Sequence, residues 1–406
     1  MHRSPIVNLI PFSKQYLRLN ETLPFGIRNA HGKLLLSAGA RLDRREQLVE
    51  LMHAELYADE HESSEWRRRL GGAVDVMFRQ NASLTKIAEA RPESARDRAS
   101  KVEHSIADQW TEVVLVLDAA LRDLRADSDW KTRLLAAQDR ALRLADRRLD
   151  ASLYHLIFTA GHSMEHYSCH HSLLCLLIAR QTALTLGWDE ARVASLGLAA
   201  LTMNVAMRRL QDLLAIGERA VNAEMRAEID SHAERSAQML EAAGVTDRSC
   251  IEIVRKHHDD SQRAQPFDAL DELQQATRAL RRVDVFAAKL SRRATRAPMS
   301  PVQAAREACI GADGRPDEIG AALLKSVGLY PPGSFVALTN GEIGIVIARG
   351  RRANLPVVAA LVSGSGTAFG TPMVRDAVDP RYAVKAAVPS SAVKVRPPHE
   401  QLMALR

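Results

Sequence analysis

The spacing of apolar residues changes several times along this 406-residue chain, and each change marks a region. Near the start, LPFGIRNAHGKLLLSAGARL alternates apolar and polar positions around an Asn-Ala-His-Gly turn, which is the pattern of a β-hairpin. EQLVELMHAELY follows with helical spacing, so residues 1–62 are expected to form a small α/β cap. Residues 63–150 are charged, with helical stretches such as WTEVVLVLDAALRDL broken by RPES, and read as a helical connector. Helical periodicity dominates residues 151–328 until YPPG stops it. In residues 329–406 two strand-like runs, SFVALT and EIGIVIA, flank Asn340-Gly341, a strong hairpin signal. The expected fold is mainly α: a helical bundle with a small N-terminal α/β cap and a small C-terminal β-hairpin appendage.

Composition narrows the function classes. The chain is 46% hydrophobic, 26% charged and 4% aromatic, which suits a globule with a sizeable core in two or three domains. The formal charge of +6 suits anionic ligands, but acidic residues are interspersed almost everywhere, so no nucleic-acid surface is expected. The strongly apolar run LLCLLIA (Leu173 to Ala179) is too short to span a bilayer, and the first 30 residues lack a signal-peptide core; a cytoplasmic location is expected. Cys169, Cys175, Cys250 and Cys309 have no CxxC spacing and read as buried free thiols.

Candidate chemistry lies in polar groups placed on apolar stripes. Tyr167, His171, Leu174 and Ile178 share one helix face, and Met225, Ile229, His232, Ser236 and Met239 share another, with Gly244 as a C-terminal stop. Ile251 and Val254 share a face with His257-His258, and Leu273, Thr277, Leu280, Asp284 and Ala287 place a carboxylate among apolar neighbours. A buried polar group without a partner costs roughly 2–7 kcal/mol, so such groups pair with one another or bind a metal. Each histidine alone reads as a hydrogen-bonded core residue. Together, imidazoles and a carboxylate from four helices are ligand types that suit iron, manganese or zinc in a bundle. His162, His166 and His170 recur every fourth residue and read as an exposed histidine-rich helix face.

The order His171-Ser172, AALTMN, IDSHAERSAQML, KHHD, RVDVFAA and GLYPPGSFVALTNGE resembles the HD-GYP domain family from Tyr167 to about Asp376, most specifically over Leu329 to Ile347. The resemblance implies an HD-type helical bundle, metal-dependent phosphodiesterase activity on cyclic di-GMP, and a cluster of two or three metal ions, often iron. It implies metal-ligand roles for His171, His232, His257, His258 and Asp284. The family's namesake His-Asp pair falls on Met203 and Asn204, and the lysine after it falls on Met207. The Gly-Tyr-Pro loop after the double histidine is absent from HHDDSQRAQPFDALDELQQA.

These departures have physical consequences. A bridging carboxylate brings two anionic oxygens to two cations, whereas an asparagine amide brings one neutral oxygen and a methionine only a soft thioether. Met203 also continues the stripe Leu196, Ala199, Met203, Ala206, Leu210, as core filler. The expected protein is a degenerate HD-GYP-like bacterial signalling protein without catalysis, acting as a ligand-binding or protein-interaction module in cyclic di-GMP-related signalling. Its site would hold one divalent ion (Fe, Mn or Zn) or none. The alternative is a metal-dependent phosphohydrolase with an altered, mononuclear centre acting on cyclic di-GMP or another phosphoester. The resemblance suggests diguanylate cyclases as partners. Arg208, next to the altered motif, and Arg278, with Arg281 and Arg282 near Asp284, are candidate contacts for an anionic ligand.

Overall fold

The fold is described from a computed structural model, which describes residues 9–14, 17, 19, 23, 25–60, 62–63, 105–217, 220–261, 265–310 and 315–405. Of the connector expected over 63–150, residues 64–104 lie outside the described residues. The chain forms two compact units, Met1–Glu112 and Val113–Arg406.

The first unit contains the expected hairpin, β2 (Ile27–Arg28) with β3 (Leu34–Leu36), after β1 (Leu9–Pro11). Asn29 shapes its turn: the Oδ1 atom accepts the backbone N–H of His31 and of Lys33, each at 3.0 Å. The helix α1 (Arg45–His53) is shorter than its sequence pattern, because Tyr57–Asp59 leaves the helix as β4. β4 completes a four-stranded antiparallel sheet of order β1-β4-β2-β3. Phe12, Phe25, Ile27, Leu42 and Leu56 fill the core beneath it.

Helices then follow: α2 (Ile106–Arg122), α3 (Trp130–Arg147), α4 (Leu149–His162), α5 (Tyr167–Thr185), α6 (Glu190–Thr202), α7 (Arg208–Ile216), α8 (Ala223–Ala242), α9 (Arg248–Lys256), α10 (Glu272–Leu290), α11 (Pro301–Cys309) and α12 (Glu318–Val327). α5 explains the apolar run LLCLLIA: residues 173–179 are at most 1% exposed, since α4, α6, α10 and α12 all pack against this helix. A helix that is apolar all round is one that neighbours cover all round. Among the described residues no helix is long and apolar enough to cross a membrane.

Three expectations about helix faces change. The stripe Leu196–Leu210 does not lie on one helix, because α6 ends at Thr202 and a 3₁₀ turn, Val205–Met207, intervenes before α7. Asn204 sits at that break with φ −107° and ψ 15°, the sparsely populated bridge region. The row His162, His166, His170 is also broken: α4 ends at His162, and His166 turns the chain with φ 47° before α5. The exposed histidine face therefore does not form, and His162 stacks on Phe158 instead, with ring centroids 3.8 Å apart. On α8 the inward stripe runs through His232, Ser236 and Leu240, while Met239 is 37% exposed.

The C-terminal region is larger than the hairpin expected from Asn340-Gly341. β5 (Phe335–Leu338) and β6 (Ile343–Ala348) do pair antiparallel, and β7 (Val357–Val362), β8 (Ala368–Asp376) and β9 (Val384–Val388) extend them into a sheet of order β8-β7-β6-β5-β9. A short helix, α13 (His399–Ala404), follows. The YPPG loop brings this sheet close to α4. Gly333 has φ +90°, its N–H donates to the Val346 carbonyl at 2.8 Å, and a Cβ there would lie 2.7 Å from the Tyr154 carbonyl oxygen. Replacing Gly333 by alanine is expected to cost about 2 kcal/mol or more, through left-handed strain and a backbone clash together. The expected outcome is a clear fall in thermal midpoint; an unchanged midpoint would show that the loop relaxes freely.

Candidate metal centre

Four helices deliver the polar groups. α5 begins at Tyr167, where the Asp212 carboxylate accepts the backbone N–H and the hydroxyl of Ser168 at 2.8 and 3.0 Å. A carboxylate at a helix N-terminus satisfies orphan N–H groups and complements the dipole. One turn in, His171 lies in the core, 2% exposed, with the Tyr167 ring stacked parallel to it at 6.0 Å. α8 starts at Asn222, whose side chain caps Met225 N, and carries His232 inward before Gly244 ends the helix with φ +79°. α9 starts at Asp247, which caps Cys250 N, and His257 and His258 follow its last residue. α10 begins with a reciprocal capping box between Asp271 and Gln274 and presents Asp284 three turns further on.

The structure thus brings together all five residues that the sequence pointed to. His232 Nε2 lies 3.2 Å from the Nε2 atoms of both His257 and His258. Beside this triad, His171 Nε2 is 2.8 Å from Asp284 Oδ1. Asp284 also interacts electrostatically with His232, His257 and His258, so the two groups share one neighbourhood.

Tautomers decide what the triad can do. His257 Nδ1 faces the Val254 carbonyl at 2.6 Å, and His232 Nδ1 faces the Ile229 carbonyl. A carbonyl only accepts, so in each neutral ring the proton is on Nδ1 and the lone pair is on Nε2. Two bare acceptors therefore face one another at 3.2 Å. Protonation would relieve this, but burial opposes it: desolvation, reinforced by the neighbouring His258, holds the His257 imidazolium form off until about pH 3. Burial lowers His232 and His258 in the same direction. Burial pushes Asp284 the other way, yet the His171 hydrogen bond and the surrounding imidazoles outweigh it and hold the carboxyl well below the usual carboxylate range.

Convergent, unprotonated imidazole nitrogens with carbonyl-anchored Nδ1–H groups are what a transition-metal ion requires. Two nitrogens at about 2.05 Å from one tetrahedral ion lie about 3.3 Å apart, close to the 3.2 Å found here. The residues fit a divalent ion on this test. The outermost member, His258, is exposed, so the triad meets solvent on one side.

The altered positions lie close by. Met203 is fully buried and Asn204 is 5% exposed. Ala206, two residues on, donates its N–H to Ser236 Oγ, one turn along α8 from His232. The Asn204 Oδ1 atom is buried with no hydrogen-bond partner. Met207, where the resembled family has lysine, is half-buried.

Comparison with known proteins adds little. No family model and no curated protein matches the chain. Among solved structures, Bd1817, an HDG"Y"P protein from Bdellovibrio bacteriovorus, aligns over 78% of this chain and 98% of its own, at 13% identity and TM-score 0.39. A likeness that distant carries no argument.

The arginines picked from sequence are engaged by carboxylates. Arg208 is buried, with Nη1 2.8 Å from Asp118 and 3.6 Å from Asp212. Arg278 donates to the Gln265 carbonyl at 2.9 Å and lies 3.8 Å from Asp317, which Arg282 approaches to 2.6 Å. Arg281 pairs with Asp260 and donates to the His258 carbonyl at 2.6 Å. All four cysteines are free and buried. Cys175 was missed as a site residue: its Sγ is 3.6 Å from His171 Nε2, and its place four residues after His171 was the available signal.

Burial of His257 gives the protein a pH-dependent stability. The unfolded chain takes up a proton near pH 6.5 and the folded one only near pH 3. The stability contribution is therefore complete above about pH 6.5 and is lost as pH falls from there toward 3. Metal-free protein should lose thermal stability across that window, and His257→Gln should flatten the loss; equal acid limbs for the two proteins in pH-dependent unfolding would refute this origin.

Proposed function

We propose that this chain is a metal-binding, HD-GYP-like signalling module that does not hydrolyse cyclic di-GMP, its bundle serving as a ligand-binding or protein-interaction element in cyclic di-GMP-related signalling. One observation carries the reading: an imidazole triad poised for an ion stands close to Asn204, where the resembled family has its bridging carboxylate. A two-metal clamp needs an anionic oxygen shared between cations to offset their repulsion and to place a hydroxide for in-line attack. Asn204 offers a neutral amide oxygen, buried and unpartnered, and Met203 beside it offers only sulfur. The residues that would hold an ion are His232, His257 and His258, with Asp284 close by. When bound, such an ion supplies Lewis acidity; His232 and His257 orient their rings toward it through their backbone carbonyls, and Asp284 brings negative charge to the cavity.

A second reading draws on the exposed side of the triad. Because His258 meets solvent, the centre is open enough for a mononuclear phosphohydrolase acting on cyclic di-GMP or another phosphoester. Diguanylate cyclases, as partners, rest on the sequence resemblance alone.

The experiment is metal analysis of protein purified without chelators, paired with cyclic di-GMP turnover after loading with Fe²⁺, Mn²⁺ or Zn²⁺. Wild type is expected to retain a transition-metal ion, His257→Ala to lose at least tenfold in affinity for it, and neither to release linear or mononucleotide product above a protein-free control. Robust turnover by wild type that His257→Ala abolishes would establish the second reading and end the first.

A further inference from the structure

Cys175 follows His171 by one helical turn, so both side chains leave α5 on the same face. Its Sγ lies 3.6 Å from His171 Nε2, and that same nitrogen is 2.8 Å from Asp284 Oδ1. The three donor atoms all lie within 4.8 Å of one another. A nucleophilic dyad does not fit this arrangement. A general-base histidine uses one ring nitrogen for the nucleophile and the other for the orienting carboxylate, whereas here both groups meet Nε2. Cys175 is also fully buried, out of reach of a substrate.

Ligation does fit. A sulfur at about 2.3 Å and a nitrogen at about 2.05 Å from one tetrahedral ion lie about 3.6 Å apart. The Asp284 carboxylate places the His171 proton on Nε2, and because Nδ1 is buried without a hydrogen-bond partner, unlike Nδ1 of His257 and His232, moving the proton there on ligation leaves an unsatisfied N–H whose cost the new metal bonds have to offset. The ring can carry its proton on Nδ1 and turn a lone pair at Nε2 toward an ion. Charge points the same way. Against neutral imidazoles and the single Asp284 carboxylate a dication would remain uncompensated in a buried site, and a thiolate from Cys175 brings the position to neutrality.

We infer that Cys175 is a metal ligand which, with His171 and Asp284, forms a second position for a thiophilic divalent ion of the zinc type, next to the imidazole triad. The inference rests on the reading that this bundle holds metal. On binding, bonds form from the ion to Sγ, Nε2 and a carboxylate oxygen. The S–H bond breaks and its proton leaves to solvent, the Nε2 proton is replaced by one on Nδ1, and no electron is transferred. Thiolate ligation excludes hard ions such as Mg²⁺ and Ca²⁺ from this position.

The test uses Co²⁺ as the probe, titrated into the full chain after chelator stripping. Wild type is expected to take up two ions per chain, with a thiolate-to-cobalt charge-transfer absorption in the near ultraviolet. Cys175→Ser should remove that absorption and bring uptake from two ions to one, while His257→Ala should lose the triad ion and keep the absorption. Cobalt binding that shows only ligand-field bands, or an absorption that survives Cys175→Ser, overturns the assignment. Should Cys175→Ser fail to fold, the wild-type spectrum decides, because without a thiolate band Cys175 is no ligand. Hydrolysis of cyclic di-GMP by a protein that shows the band would sink the functional reading alone, and a missing band in an inactive protein would sink this one alone.

Discussion

Three imidazole Nε2 atoms that converge on His232, with the protons of His232 and His257 tied to backbone carbonyls on the far side of their rings, are the constraint around which the helical unit is organised. The lone pairs of His232 and His257 face one another and repel. A proton or a cation between His232 and His257 would relieve this. Burial makes protonation of His257 costly. The capping interactions at Asn222, Asp247 and Asp271 matter in this light, since each fixes the start of a helix that aims a ligand side chain inward.

The second half of the cavity is built on a different logic. His171 and Asp284 satisfy one another through a 2.8 Å contact, and the thiol of Cys175 lies against the same nitrogen. In this half a proton lies between His171 and Asp284, whereas the facing nitrogens of His232 and His257 carry none. Asp284 connects the two electrostatically and keeps its negative charge because imidazoles surround it. Asn204, at the break between α6 and α7, brings an amide to the vicinity where the resembled family brings charge. Its unpartnered oxygen is a cost that the fold sustains.

Much of the site could be read before any coordinates. Each of His171, His232, His257 and Asp284 stood on an apolar stripe, and a stripe predicts burial because a helix face packed on a core excludes water. Cys175 could not be picked out in the same way: an apolar helix covered on all sides has no informative face, so sulfur at that position looked like core. The partners of the arginines were not legible for a related reason. Charge near a motif says nothing about partners, and Asp118, Asp260 and Asp317 lie 90, 21 and 35 residues along the chain from the arginines they meet.

By itself the sequence determined the helical character of the central region, the hairpin at Asn340-Gly341 and the inward placement of His171, His232 and His257, because these follow from local spacing and turn chemistry. Tertiary structure alone decided where apparent stripes break, as at Asn204 and His166. It also decided which carboxylate answers which cation, and that three imidazoles meet through Nε2 with Cys175 standing by. Those outcomes depend on distances between residues that the chain separates widely, and periodicity along one helix contains no information about the neighbour it will face.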